Sequence, residues 1–108
     1  MAGSDLFTGT LDILILKAVS WGPAHGYAIG KWIRETTGDT VIVQEGALYP
    51  ALHRLERKHL LAETWGTSDT GRAAKFYSLT ATGRKHLAAE SKRWSTFSRS
   101  ITYALGRA

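Results

Sequence analysis

The chain has 108 residues, no cysteine and a formal net charge of +5. That length suits one domain, or one domain with an arm, and not two independent cores. Without cysteine there are no disulfides, thiolate zinc sites or cysteine nucleophiles, which fits a reducing cytoplasmic setting, and the basic balance selects anionic partners, nucleic acid before membrane surface.

At the start, Asp5 and the lack of a basic stretch predict no secretory leader. The longest apolar run, Leu11 to Leu16, is broken by Asp12 and falls far short of the ~20 residues that cross a bilayer. Leu6 and Phe7 lead into a helix expected to open at Thr8 or Thr10, whose hydroxyls can cap it, with Asp12 near its positive end. Leu11, Leu14, Ile15, Ala18 and Val19 form one stripe at helical spacing, with Ile13 and Leu16 outside it. A helix apolar on more than one side needs cover on more than one side, which points to a second chain.

Trp21-Gly22-Pro23 ends this helix, and a second follows from about Gly26 to Thr37 with Ala28, Ile29, Trp32 and Ile33 inward; Gly38-Asp39 closes it. His25 and Gly26 read as turn-formers, the glycine through a positive φ and the imidazole through a bond to the backbone. Val41-Ile42-Val43 reads as a short extended piece. A third helix starts near Gln44 to Gly46 and runs to about His59, with Leu48, Leu52, Leu55 and His59 on one face. Gly46, Pro50, His53, Arg54 and Arg57 then point the other way.

Leu61 to Trp65 and Lys75 to Leu79 read as the strands of a β-hairpin around a polar loop, Gly66 to Arg72, with Trp65 as core at the strand end. Thr80 caps a last helix running to about Leu105, whose stripe is Leu87, Trp94, Phe97, Ile101 and Ala104. The order helix, helix, helix, hairpin, helix is that of a winged helix-turn-helix with an added C-terminal helix: mainly α with a small β-hairpin. The expected division is a DNA-binding unit over residues 1–79 and a dimerisation helix over 80–108.

The charges follow that order. Between Arg54 and Lys75 lie five cations (Arg54, Arg57, Lys58, Arg72, Lys75) against three acids (Glu56, Glu63, Asp69), so the basic excess sits in the two elements that would touch DNA. His53, Arg54 and Arg57 are candidates for base contact, Arg72 and Lys75 for phosphate or minor-groove contact, and Tyr49 for either packing or a phosphate hydrogen bond. Arg54 has a second option, pairing with a carboxylate such as Glu56 or one across a dimer. The four histidines show no metal-ligand spacing, no cofactor is expected, and there is no nucleophile elbow, phosphate loop or paired-carboxylate constellation to suggest an enzyme. The competing class is a winged helix used as a protein–protein adaptor, which would present an apolar third-helix surface.

Three stretches resemble signatures of the PadR family of repressors. Gly22-Pro23-Ala24-His25-Gly26-Tyr27-Ala28-Ile29 resembles its G-x-x-H-G-Y-x-I; Gly46 to Glu56 is similar to its G-x-L-Y-P-x-L-x-R-L-E; Gly71-Arg72, then Lys75 to Thr80 and Gly83, resemble its wing and the Y-x-L-T-x-x-G beyond. The resemblance implies a homodimeric repressor of the short form, with Leu87, Trp94, Phe97 and Ile101 at the dimer interface, a pseudo-palindromic operator, and release by a small aromatic or hydrophobic effector. Some relatives hold flat aromatic compounds between tryptophans of paired C-terminal helices, which would make Trp94 an effector residue. Two departures stand out: His59 where a glycine often follows the recognition helix, and Ala73-Ala74 where a second basic wing residue is common.

Overall fold

A computed structural model describes residues 3–107, with side chains from residue 9 onward. The elements in order are helix α1 (Gly3–Val19), strand β1 (Ala24–His25), helices α2 (Gly26–Thr36) and α3 (Glu45–Arg57), strands β2 (Leu61–Thr67) and β3 (Ala73–Leu79), and helix α4 (Ala81–Leu105). The strands form one antiparallel sheet in the order β1-β3-β2. This is a winged helix-turn-helix with a C-terminal helix, as the order of sequence signals predicts.

Helix α1 opens earlier than expected: Gly3 already lies in it, so Thr10 is interior rather than a cap. The side chains of Leu6, Phe7 and Thr8 lie outside the described residues. Asp12, ten residues in, is too far from the helix start for the macrodipole to matter. Its role is a different one, described below. Leu11, Ile15, Leu16, Ala18 and Val19 are all buried, with Ile13 and Leu14 packed against the same cluster. Much of the apolar surface that pointed to a second chain is therefore covered by α2, α3, α4 and the sheet.

The core gathers around this helix: Ile29 and Ile33 from α2, Leu48, Ala51, Leu52 and Leu55 from α3, Leu60, Leu61 and Tyr77 from the sheet, and Leu87 from α4. The leucine seam of α3 faces inward as its spacing requires. The helix ends two residues sooner than expected, and His59 is exposed at φ 61°, a left-handed conformation that favours glycine. The departure noted at His59 falls on this turn, so the chain reverses there at a steric cost this histidine bears.

Three further differences concern the extended segments. β1, two residues in the G-P-A-H-G-Y segment, pairs with β3 (Ala24 opposite Tyr77, His25 opposite Phe76) and ties the turn before α2 to the wing. A two-residue strand has no periodicity to read. Val41-Ile42-Val43 forms no strand; Val41 and Val43 pack against the core as a connector. The hairpin is longer than expected, paired out to Thr67 and Ala73, and closed by a Ser68–Arg72 backbone bond of 2.8 Å with Gly71 at φ 81°.

Thr80 caps α4 as anticipated, accepting from the Gly83 amide at 2.9 Å and donating to the His59 carbonyl at 2.7 Å. A Cβ on Gly83 would fall on the carbonyl oxygen of Leu60. The T-x-x-G sequence thus locks the start of α4 onto the end of the recognition-helix turn. Beyond Leu87 no residue of α4 is buried, so about 27 Å of helix stands clear of the core. No described helix is long and apolar enough to cross a membrane.

Candidate nucleic-acid interface

The helix-turn-helix is held by small, specific fits. His25 caps α2, its Nδ1 accepting from the Ala28 amide at 3.3 Å. Gly26 does not use the positive φ expected of it; it is required because Tyr49 lies against it, and a Cβ there would sit 2.8 Å from the tyrosine hydroxyl. Tyr49 is thereby half packed and half exposed, its ring on α2 and its edge at the rim of a cleft. The H-G-Y and L-Y-P signatures are two sides of one contact.

On the outer face of α3, Gly46, Tyr49, Pro50, His53 and Arg57 are exposed. Nothing lies near the position a Gly46 side chain would take, and Arg57 has no ion-pair partner among the described residues. Arg54 differs from the outward orientation the wheel suggests. Its guanidinium turns back to Asp12 of α1, Nη2 to Oδ1 at 2.5 Å, with both side chains largely covered. The pairing option is the one realised, and the carboxylate is Asp12 rather than Glu56. Its Nε is buried without a partner among the described residues, so the pair locks α3 against α1 at some cost in unmet hydrogen bonding.

Lys75 is also engaged, its Nζ 2.9 Å from Glu63 of β2. Glu63 in turn meets Glu56 of α3, and Glu56 lies 3.7 Å from Nδ1 of His53. Burial, then the hydrogen bond with Glu63, holds the Glu56 carboxyl above the usual range. The same bond, then Lys75, holds Glu63 below it, and the bond to Glu63 raises Lys75. This chain of four side chains joins the recognition helix to both wing strands. Sequence spacing could not reveal it, because its members come from three elements.

Arg72 at the hairpin tip is exposed and has no ion-pair partner among the described residues. Between the wing and α2/α3 runs an open cleft of about 930 Å³, bounded by Tyr27, Lys31, Tyr49 and His53 on one side and Trp65, Arg72 and Lys75 on the other. Trp65, expected in the core, is 67% exposed on this wall; Tyr77, two places along the alternating pattern of β3 from Lys75, fills the core in its stead. Lys31 of α2 is a cation that the sequence reading left out, since it lies off the inner face of an element not expected to touch DNA.

On α4, Leu87 is buried in the chain's own core, whereas Trp94, Phe97 and Ile101 are exposed, with Trp94 and Phe97 in ring contact at 5.9 Å between centroids. Among the described residues no group of three or more His, Asp or Glu side chains is placed to hold a metal.

Comparison with known proteins agrees with this geometry. Residues 15–89 match the model of the transcriptional regulator PadR-like family. An uncharacterised protein of Lysinibacillus sphaericus is 30% identical over 95 residues, 88% of this chain and 87% of that protein. A PadR-like transcriptional regulator of Bacillus cereus superposes with a TM-score of 0.82 at 25% identity, over 96% of this chain and 99% of that one. A PadR family transcription regulator of Clostridium difficile gives 0.77 at 31% identity, over 89% and 98%. With the fold, the motifs and the family model in agreement over most of its length, the chain belongs to the PadR-like family of DNA-binding transcriptional regulators.

Proposed function

We propose that this regulator is a repressor that binds a pseudo-palindromic operator as a homodimer and is released by a small aromatic or hydrophobic effector. The observation that carries the DNA half is the exposed outer face of α3: Arg57 without a counter-ion among the described residues, His53 and Tyr49 beside it, and the Arg72 tip across the cleft. In this reading Arg57 and His53 reach base edges in the major groove, and Tyr49 donates its hydroxyl to a phosphate. Arg72 holds the backbone or minor groove from the wing, and Lys75 joins it where a phosphate takes the place of Glu63 as its partner. Arg54 serves the interface from behind, its pair with Asp12 setting the angle at which α3 is presented.

The dimer half rests on α4. Residues 80–108 act as the dimerisation helix for a DNA-binding unit over residues 1–79, although Gly83 and Leu87 also belong to the core of that unit. Trp94, Phe97 and Ile101 form an apolar strip that a single copy leaves open. Leu87 anchors the helix root. A two-fold pairing of such helices brings two Trp94 rings together, where a flat apolar effector inserts.

The test is a selection of genomic duplex fragments by the purified protein, repeated with candidate aromatic compounds. The expected product is a two-fold sequence with half-sites about one helical turn apart, roughly 34–36 Å. Recovery of fragments with no shared symmetric sequence would favour shape readout or the adaptor class instead.

A further inference from the structure

β2 alternates Leu61, Glu63 and Trp65 on one face. Leu61 enters the core and Glu63 meets Glu56 of α3, so the next residue on that face points to the recognition-helix side, beyond the edge of the core. That residue is Trp65, with two-thirds of its surface open. Its cross-strand neighbour, Lys75, has its charge drawn back to Glu63. The opposite face of the strand is pinned. Gly66 lacks a side chain where the Phe76 ring passes 3.0 Å from the would-be Cβ, and Phe76 stands edge-on to His25, the cap of α2, at 5.4 Å. The strand that carries the indole is thus tied to the helix-turn-helix through Phe76 and His25.

The cleft it faces is rimmed by Arg72 and Lys31, neither of them ion-paired among the described residues, and the one acid in its described lining is Asp69, so cations outnumber acids there. An occupant must offer negative charge beside an apolar edge, which is the make-up of a deoxyribose–phosphate strand. A second copy of this chain fits poorly: its exposed apolar strip on α4 is flanked by Lys92 and Arg99, like charges to Arg72 and Lys31. Resting on the DNA-binding reading above, we infer that Trp65 is a DNA-contacting residue. Its indole packs against the sugar edge of the strand that enters this cleft and supplies affinity that salt does not screen.

Such a contact releases no counter-ion, so it is separable from the cationic ones. Duplex affinity is measured across a salt series for the parent, Trp65→Ala, Trp65→Phe and Arg72→Ala. Trp65→Ala is expected to bind roughly tenfold or more weakly at every salt concentration, with the parent's slope, because most of an aromatic surface goes uncovered. Trp65→Phe recovers part of the loss, and Arg72→Ala lowers the slope itself. An unchanged melting temperature and sedimentation coefficient for Trp65→Ala separate this from a folding or dimer effect. Affinity equal to the parent's, or a Trp65→Ala protein that dissociates into monomers, overturns the inference while leaving the DNA-binding reading intact. A parent that binds no duplex overturns both.

Discussion

Phe97→Asp is the sharpest perturbation of the proposed dimer. Phe97 is 44% exposed in the single chain, on the order of 80–90 Å² for an aromatic side chain, and lies outside the core. If that surface is covered in both copies, its loss costs about 4 kcal/mol at ~25 cal/mol per Å². The dimer dissociation constant should then rise about a thousandfold, before any penalty for bringing two carboxylates to one seam. Sedimentation velocity over a wide concentration range reads the constant directly. The exposed length of α4 should fray in the separated subunits, since a helix without packing is marginal in water, and circular dichroism would show that loss. Operator affinity should fall with it, because two linked recognition helices become two independent ones. A parent that sediments as a monomer at micromolar concentration, or a Phe97→Asp protein with the parent's constant, would refute the reasoning.

Three other outcomes follow from side chains already placed. Arg54→Ala and Asp12→Ala should each lower stability by about 1–3 kcal/mol, and the double variant should lose little more than either alone; additive losses in thermal melts would mean that the pair does not interact. Glu56 has a raised carboxyl, so the folded state holds its proton more tightly than the unfolded chain; that contribution is full at acid pH and lost as pH rises through the raised value. Glu56→Gln keeps a donor for Glu63 without the charge, so it should raise the melting temperature near pH 8 and not near pH 4, and equal effects at both would contradict the hydrogen bond from a protonated Glu56 to Glu63. Gly83→Ala should unfold the chain or sharply destabilise it, because its methyl would meet the fixed backbone of Leu60; a melting temperature within a degree or so of the parent's would show that the α4 root can shift.

What the sequence made legible was whatever repeats at helical or strand period. The leucine seam of α3, the cap of α4 and the hairpin follow from spacing and from residues such as Thr80 that serve a local need, and the backbone bond expected of His25 turns out to be the cap of α2. The expectations that changed depend on contacts distant in sequence. Arg54 and Asp12 are 42 residues apart, and a helical wheel shows that Arg54 is off the leucine seam without showing that α1 passes within its reach. Trp65 read as core because a tryptophan in a strand usually is; it is exposed because it stands four residues out along β2 from Leu61, where the hairpin has run past the core that Leu61 and Tyr77 enter. Gly26 read as a turn glycine because the ring it must admit comes from the next helix. His59, at its positive φ, shows the reverse: the departure from the family's usual glycine marked the place of the conformation without revealing it.

In the proposed function, the outer face of α3 reads base sequence. The direct measurement compares the ranking of bound duplexes between the parent and Arg57→Ala, both checked as folded dimers. An arginine bridging a guanine typically contributes ~1–3 kcal/mol of discrimination. Arg57→Ala should therefore relax preference by roughly five- to a hundredfold at one symmetric pair of operator positions and leave the other positions ranked as before. An unchanged ranking at every position, with only a uniform loss of affinity, would contradict the claim and make Arg57 a phosphate anchor.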